Sequence, residues 1–270
     1  MATVREELKA IVKSRGAAGE YSKYSLNFYR GCPHGCLYCF GPSITQQSKE
    51  EFHANKALVK KASPENIIYD LEYHPEIKTI HACFICDPYP AGWASSPTRT
   101  RLQTIKEAGR NIQILTKNPM DAMRDFDLYD LGDSFGVTLT FLDPKKSKQW
   151  EPGAALPEYR ITVLKAAKES GIKTWASCEP VIEPDETLVV IEAAAPYLDF
   201  VWWGKLNTEG KNLPDYIIDI ERQIDWSKFK SDAIALSKRL GLAYDIKHDL
   251  ELAARGRQKG QMDAIVPEVA

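Results

Sequence analysis

Short apolar runs recur along this chain with helix-like stretches between them, and that alternation restricts the fold more than any other feature. Candidate strands fall at 25–29, 79–86, 111–116, 134–141, 172–178 and 199–206, with a weaker seventh at 242–247. The fourth is the clearest. Phe135, Val137, Leu139 and Phe141 alternate with Gly136, Thr138 and Thr140, the period of two expected of a strand. Between the strands lie helix signals. Ser63-Pro64-Glu65 offers a cap, a proline at the first helical position and an early acid. The stretches 98–108 and 157–170 each stop at a glycine, Gly109 and Gly171, and 185–195 and 215–222 complete the series. Strands alternating with helices of about 10–15 residues mean repeated βαβ units and a parallel sheet. The chain has 270 residues, the usual size of an α/β barrel. The pattern allows a full or partial barrel, with an open doubly wound sheet as the alternative.

Hydrophobic residues make up 44% of the chain and charged residues 27%, an ordinary globular balance with enough apolar side chains for a large core. The formal net charge of -2 gives no global field for a polyanion, so nucleic acid is a possible partner that the charge does not support. The N-terminal stretch MATVREELKAIVK lacks the apolar core of a secretory signal, and no apolar run is long enough to cross a membrane. A cytoplasmic location is the expectation. In that compartment six cysteines point to metal or redox chemistry rather than disulfides, and three of them lie within eight residues.

In parallel α/β folds the chemistry gathers beyond the carboxyl ends of the strands. Those ends here carry Arg30 and the cysteine loop, then Asp87, Lys117, Thr138 and Thr140, Glu179, and finally Lys205 and Asn207. The loop reads NFYRGCPHGCLYCF, with Cys32, Cys36 and Cys39 spaced C-x3-C-x2-C and with Gly31 and Gly35 permitting a tight wrap. Thiolates are the standard ligands of iron–sulfur clusters, and three of them on a [4Fe–4S] cluster leave one iron open for chemistry. A structural zinc site competes with that reading. It needs four ligands, with His34 or the pair Cys83 and Cys86 as the supplement. If Cys83 and Cys86 both lie on the second strand, three residues apart, they face opposite ways and do not share one ion.

The segment NFYRGCPHGCLYC resembles the cluster motif of the radical SAM superfamily, and more narrowly its spore photoproduct lyase-like branch. The likeness continues through CDPYP, TRTRL, ILTKNP, GVTLT, WEPGAALPEYR and SCEPVI, and covers about residues 24–207. The resemblance implies a partial TIM barrel of the (β/α)6 type. It implies a [4Fe–4S] cluster on Cys32, Cys36 and Cys39 and S-adenosyl-L-methionine as cofactor. Tyr38 would lie near the adenine, Lys117 would meet the methionine carboxylate, and Thr138 or Thr140 would add a hydroxyl, with Asp87 a further cofactor-side or substrate-side group. A reductant such as flavodoxin or ferredoxin would supply electrons.

Spore photoproduct lyase uses a cysteine and tyrosines as a hydrogen-atom relay, and Cys83 and Cys86 fall in the corresponding region. Cys178 is a further buried-thiol candidate. Glu151, Arg160, Glu179, Lys205 and Asn207 are the substrate-side candidates, and Glu151 and Glu179 each precede a proline that holds the backbone extended. The expected division is an N-terminal helical extension over 1–20, the barrel over 21–210, and a helical and strand extension with a polar tail over 211–270. The competing reading is a binding module stapled by zinc or iron–sulfur, associated with nucleic acid. An ordinary barrel hydrolase with incidental cysteines is the third.

Overall fold

A computed structural model describes residues 7–208 and 213–256. Its sheet runs in sequence order: β1 (Val12–Lys13), β2 (Tyr24–Leu26), β3 (Thr79–Ala82), β4 (Asn111–Thr116), β5 (Ser134–Thr138), β6 (Lys173–Cys178), β7 (Phe200–Trp203) and β8 (Ala243–Ile246). β1 pairs antiparallel with β2, and every later pairing is parallel. A helical segment follows most of the parallel strands, as a parallel connection requires. β1 and β8 are the two ends of the sheet, so it curls without closing, and the fold is a partial TIM barrel.

Alternation along each strand divides the side chains between two environments. Ile80, Ile112, Ile114, Phe135, Val137, Ala176, Val201 and Trp203 are fully buried. Each large one is worth about 1.5–3 kcal/mol on leaving water. The residues between them face the concave side. Trp175 lies over Gly136 on that side, where an added Cβ would stand 2.3 Å from the indole. Trp202 and Trp203 face opposite ways as expected: Trp203 donates its Nε1–H to Ser237 at 3.0 Å beneath the helix Trp226–Leu240, while Trp202 turns to Tyr21.

The helix signals correspond to Pro64–Tyr73, Ser96–Glu107, Pro157–Glu169, Pro184–Ala194 and Asp215–Gln223. The differences have local causes. The described part of the N-terminal stretch is not one helix. It holds β1 and the short helix Ala17–Tyr21, and before β1 the Asp70 carboxylate accepts the backbone N–H groups of Lys9, Ala10 and Ile11 at 2.7–2.8 Å, which ties them into a bend instead of a helix. The strand expected over 79–86 stops at Ala82, where Cys83 turns with φ +66° and Asn27 Oδ1 takes the N–H groups of Phe84 and Ile85. The strand expected over 134–141 stops at Thr138. β8 joins the same sheet as the barrel strands rather than standing apart from it. The polar tail beyond residue 256 lies outside the described residues.

Candidate active site

A cavity of about 490 Å³ opens at the carboxyl ends of the strands, and most of the candidate residues converge on it. One end is the cysteine loop between β2 and the helix Gly41–Thr45. Its wrap depends on two glycines. Gly35 has φ +65°, and a Cβ on Gly31 would fall 2.0 Å from the Phe52 carbonyl oxygen. The Leu37 N–H donates to the Trp150 carbonyl at 2.9 Å and the Cys39 N–H to the Cys36 carbonyl at 3.0 Å, which fixes the curl. Cys32, Cys36 and Cys39 all line the cavity. Burial pushes the Cys32 thiol up, and burial with the nearby Glu151 charge pushes Cys36 up to about 12. Such thiols stay protonated until a metal takes the place of the proton.

His34 lies inside the loop but is committed elsewhere. It is buried, its Nε2 accepts the Ala91 N–H at 3.3 Å, and its Nδ1 stands 3.6 Å from Asp87. Among the described residues no three His, Cys, Asp or Glu side chains stand together at the spacing of a single ion. A four-iron cluster takes its thiolates on separate irons, and three cysteines from one loop facing one cavity are a donor set of that kind. Nothing in the site favours the zinc-stapled module.

Asp87 is a positioning group. Its carboxylate accepts from Thr116 Oγ1 at 2.6 Å, the Tyr89 N–H at 2.8 Å and the Lys117 N–H at 2.7 Å, so it ties the end of β4 to the turn after β3. Lys117 lines the cavity with its Nζ 5.8 Å from the centre of the Tyr38 ring. Thr138 lines it too. Thr140 does not: the strand has ended, the alternation that would align it with Thr138 is lost, and its buried Oγ1 has no partner among the described residues.

Glu151 and Arg160 are not in the cavity wall. Glu151 is buried behind the loop, where it accepts from the Tyr38 hydroxyl and from Arg160 Nη2 at 2.5 Å. Burial alone would raise its pKa, but Arg160, Lys117 and the Tyr38 hydrogen bond outweigh that and hold it below the ordinary carboxylate range. Arg160 also donates to the carbonyls of Ala155 and Thr138, both at 2.8 Å. This pair therefore braces the loop against β5.

Cys83 and Cys86 both line the cavity, which corrects the expectation that they face opposite ways; the strand ends before either of them. Cys83 Sγ accepts the Phe28 N–H at 3.3 Å, and burial with the Cys86 hydrogen bond raises its pKa. Cys178 sits on the helix-facing side of β6, fully buried and outside the cavity wall.

Glu179, Lys205 and Asn207 line the cavity as well, beyond the ends of β6 and β7. Two residues there carry no obvious sequence signal. Tyr21, from the N-terminal segment, donates to Glu179 Oε2 at 2.9 Å and pairs with Ser177 Oγ at 2.7 Å. Lys247, at the end of β8, is fully buried and donates to the same Oε2 at 2.6 Å. The rule that placed Glu179 and Lys205, polar groups just past an apolar strand, also fits Lys247, but the weaker strand hid it.

The Radical SAM superfamily profile matches residues 26–194, more than half of the chain, from the last residue of β2 to the end of the helix after β6. An uncharacterized protein of Methanocaldococcus jannaschii is 27% identical over 237 residues, 82% of this chain and 88% of that one. Another, from Acidianus two-tailed virus, is 27% identical over 254 residues, 85% of this chain and 81% of that protein. Among solved structures, a cysteine-to-serine variant of spore photoproduct lyase superposes with a TM-score of 0.66 at 12% identity, over 90% of this chain and 80% of that one. SuiB of Streptococcus suis bound to S-adenosylmethionine superposes with a TM-score of 0.61 at 12% identity, over 83% of this chain, which spans 50% of SuiB. At such identities the structures speak for the fold alone, and they share the partial barrel. The profile match, laid over a cysteine loop that opens on the carboxyl ends of that barrel, means that the chain belongs to the radical SAM superfamily.

Proposed function

We propose that this chain is a radical SAM enzyme whose Cys32, Cys36 and Cys39 hold a [4Fe–4S] cluster, with S-adenosyl-L-methionine bound beside it. The observation that carries the reading is the sharing of one cavity wall by the three loop thiols and Lys117. When bound, the reduced cluster and S-adenosyl-L-methionine supply a 5′-deoxyadenosyl radical. The protein's own part is placement and exclusion of water. Lys117 is a cation for the methionine carboxylate, held by its backbone bond to Asp87. Tyr38 offers its ring face, fixed by the bond from its hydroxyl to Glu151, and Thr138 offers a hydroxyl. Cys83 and Cys86 stand in the wall as thiols from which a hydrogen atom can be drawn. Glu179 lies on the substrate side. A flavodoxin- or ferredoxin-like reductant completes the system, acting on a substrate that is a nucleic-acid base, a peptide or a small molecule.

Anaerobic reconstitution with iron and sulfide, reduction, and chromatography for 5′-deoxyadenosine after adding S-adenosyl-L-methionine test the reading. Product that is absent in Cys36→Ala supports it. A protein that takes up no cluster under these conditions overturns it.

A further inference from the structure

The side of the cavity that Ser177 and Glu179 line is completed by residues outside the span that the family profile matches. Tyr21 comes from the N-terminal segment and Lys247 from the residue just after β8, while 26–194 supplies Ser177 and Glu179. These four side chains form one network whose polarity can be worked out atom by atom.

Lys247 Nζ donates to Glu179 Oε2 at 2.6 Å and to the Ala17 carbonyl at 3.2 Å, and it stands 4.0 Å from the centre of the Tyr21 ring. Its ammonium is thus enclosed by internal partners. Lys205, the other lysine of this side, is spent in the same way: its Nζ donates to Glu221 at 2.7 Å and to the Leu206 carbonyl at 3.2 Å, and both residues of that pair are buried. Neither cation is free for an anionic substrate. Lys13 and Arg15 also belong to the wall but are exposed at its mouth.

Tyr21 has one hydroxyl hydrogen, and it goes to Glu179 Oε2. The 2.7 Å contact between Tyr21 and Ser177 must then be filled by the Ser177 hydrogen. Ser177 Oγ is left as an acceptor. Glu179 Oε2 is committed to Tyr21 and Lys247, while Oε1 accepts from no described residue, and the side chain, 21% exposed, lies in the cavity wall. Gly204 keeps the arrangement tight, since a Cβ there would come within 3.0–3.2 Å of Glu179 and Lys247. The hydrogen-bonding atoms this network leaves over are therefore two acceptors, Glu179 Oε1 and Ser177 Oγ, in a wall that also holds the apolar side chains of Phe84 and Ile85.

We infer that this side of the cavity recognises a neutral nitrogen donor, a primary amide or an amide-like planar N–H group, rather than a carboxylate or phosphate. A primary amide nitrogen carries two hydrogens, one for each of the two leftover acceptors. An anion placed there would face the carboxylate with both lysines already paired, and a buried group left without a partner costs on the order of 1–3 kcal/mol. Glu179 is the specificity residue. Tyr21 and Lys247 are positioning residues that lock its other oxygen. The inference rests on the assignment of the cysteine end to the cofactor.

The test uses two probes of the same shape, benzamide and benzoate, titrated into the full chain before and after cluster reconstitution with S-adenosyl-L-methionine present, with binding read by calorimetry. Benzamide should bind about tenfold more tightly than benzoate. In Glu179→Gln the amide oxygen must face the donors Tyr21 and Lys247, which turns the amide nitrogen toward the cavity, and the preference should fall away or invert. Tyr21→Phe takes away the acceptor of the Ser177 hydroxyl hydrogen, so that Ser177 can donate to an anion, and should reduce the preference several-fold, which serves if Glu179→Gln does not fold. Equal or tighter binding of benzoate to the unaltered protein, binding of neither probe, or an unchanged preference in both variants would overturn the inference. A cluster that fails to form while the benzamide preference persists counts against the radical assignment alone.

Discussion

Arg160 Nη2 lies 2.5 Å from Glu151 Oε2, and both side chains are almost wholly buried behind the cysteine loop. The sequence suggests substrate-side roles for these residues, yet their four polar contacts all go to the protein: Tyr38, Ala155, Thr138 and each other. Removing one partner of such a pair leaves an uncompensated buried charge, which typically costs about 3–5 kcal/mol. Arg160→Met should lower the unfolding free energy measured in urea by that amount and reduce iron uptake in parallel, because the loop loses its brace. Unchanged stability would mean that the pair is dispensable.

The loop thiols and the core thiol should separate cleanly. Alanine at Cys32, Cys36 or Cys39 should abolish cluster loading while the circular dichroism of the barrel persists. Cys178→Ala should leave iron content and 5′-deoxyadenosine formation intact and cost only about 1 kcal/mol of stability, the ordinary effect of one core substitution. Full loading in any of the first three would remove that residue from the ligand set.

Gly31→Ala tests the wrap of the loop. The added methyl would meet a backbone carbonyl at 2.0 Å, and a carbonyl cannot rotate away as a side chain can. Iron content after reconstitution should fall sharply, with the far-ultraviolet spectrum unchanged. Normal loading would show that the loop adapts.

Lys117→Ala should weaken S-adenosyl-L-methionine binding about 10- to 100-fold, the loss of one charge-assisted contact, with cluster content unaffected. Equilibrium dialysis on the reconstituted protein measures this. Unchanged affinity would assign the carboxylate to another group.

Asp249 carries a pH signature. Burial, reinforced by the Glu179 charge, pushes its pKa from 3.8 up to about 6. A raised folded-state pKa means that the folded protein holds this proton more tightly than the unfolded chain. The stability it contributes is fully present below about pH 4 and is lost as the pH rises through 6. Asp249→Asn keeps the Oδ1 that accepts the Leu250 N–H at 2.8 Å. The variant should therefore melt higher than the unaltered protein at pH 7 and level with it at pH 4. An equal difference at both pH values would disconnect the effect from ionisation.

What the sequence determined by itself was whatever local periodicity and close spacing encode. The alternation of Phe135 and Val137 with Gly136 and Thr138 marks a strand wherever it lies, Ser63 and Pro64 start a helix without tertiary help, and three cysteines within eight residues are near one another whatever the rest of the chain does. What only the tertiary structure decided was which side chains face one another across long separations and where regular structure gives way. Cys83 and Cys86 share a wall because β3 ends at Ala82, a stop imposed by Asn27 some 57 residues earlier in the chain. Glu151 and Glu179 look alike in sequence, each a glutamate before a proline. One meets a buried arginine behind the loop and the other meets Tyr21 and Lys247 in the cavity. The contact between Lys247 and Glu179 spans 68 residues, and that between Tyr21 and Glu179 spans 158. No local pattern records such pairs, because they exist only once the strands have lined up and brought their carboxyl ends to one cavity.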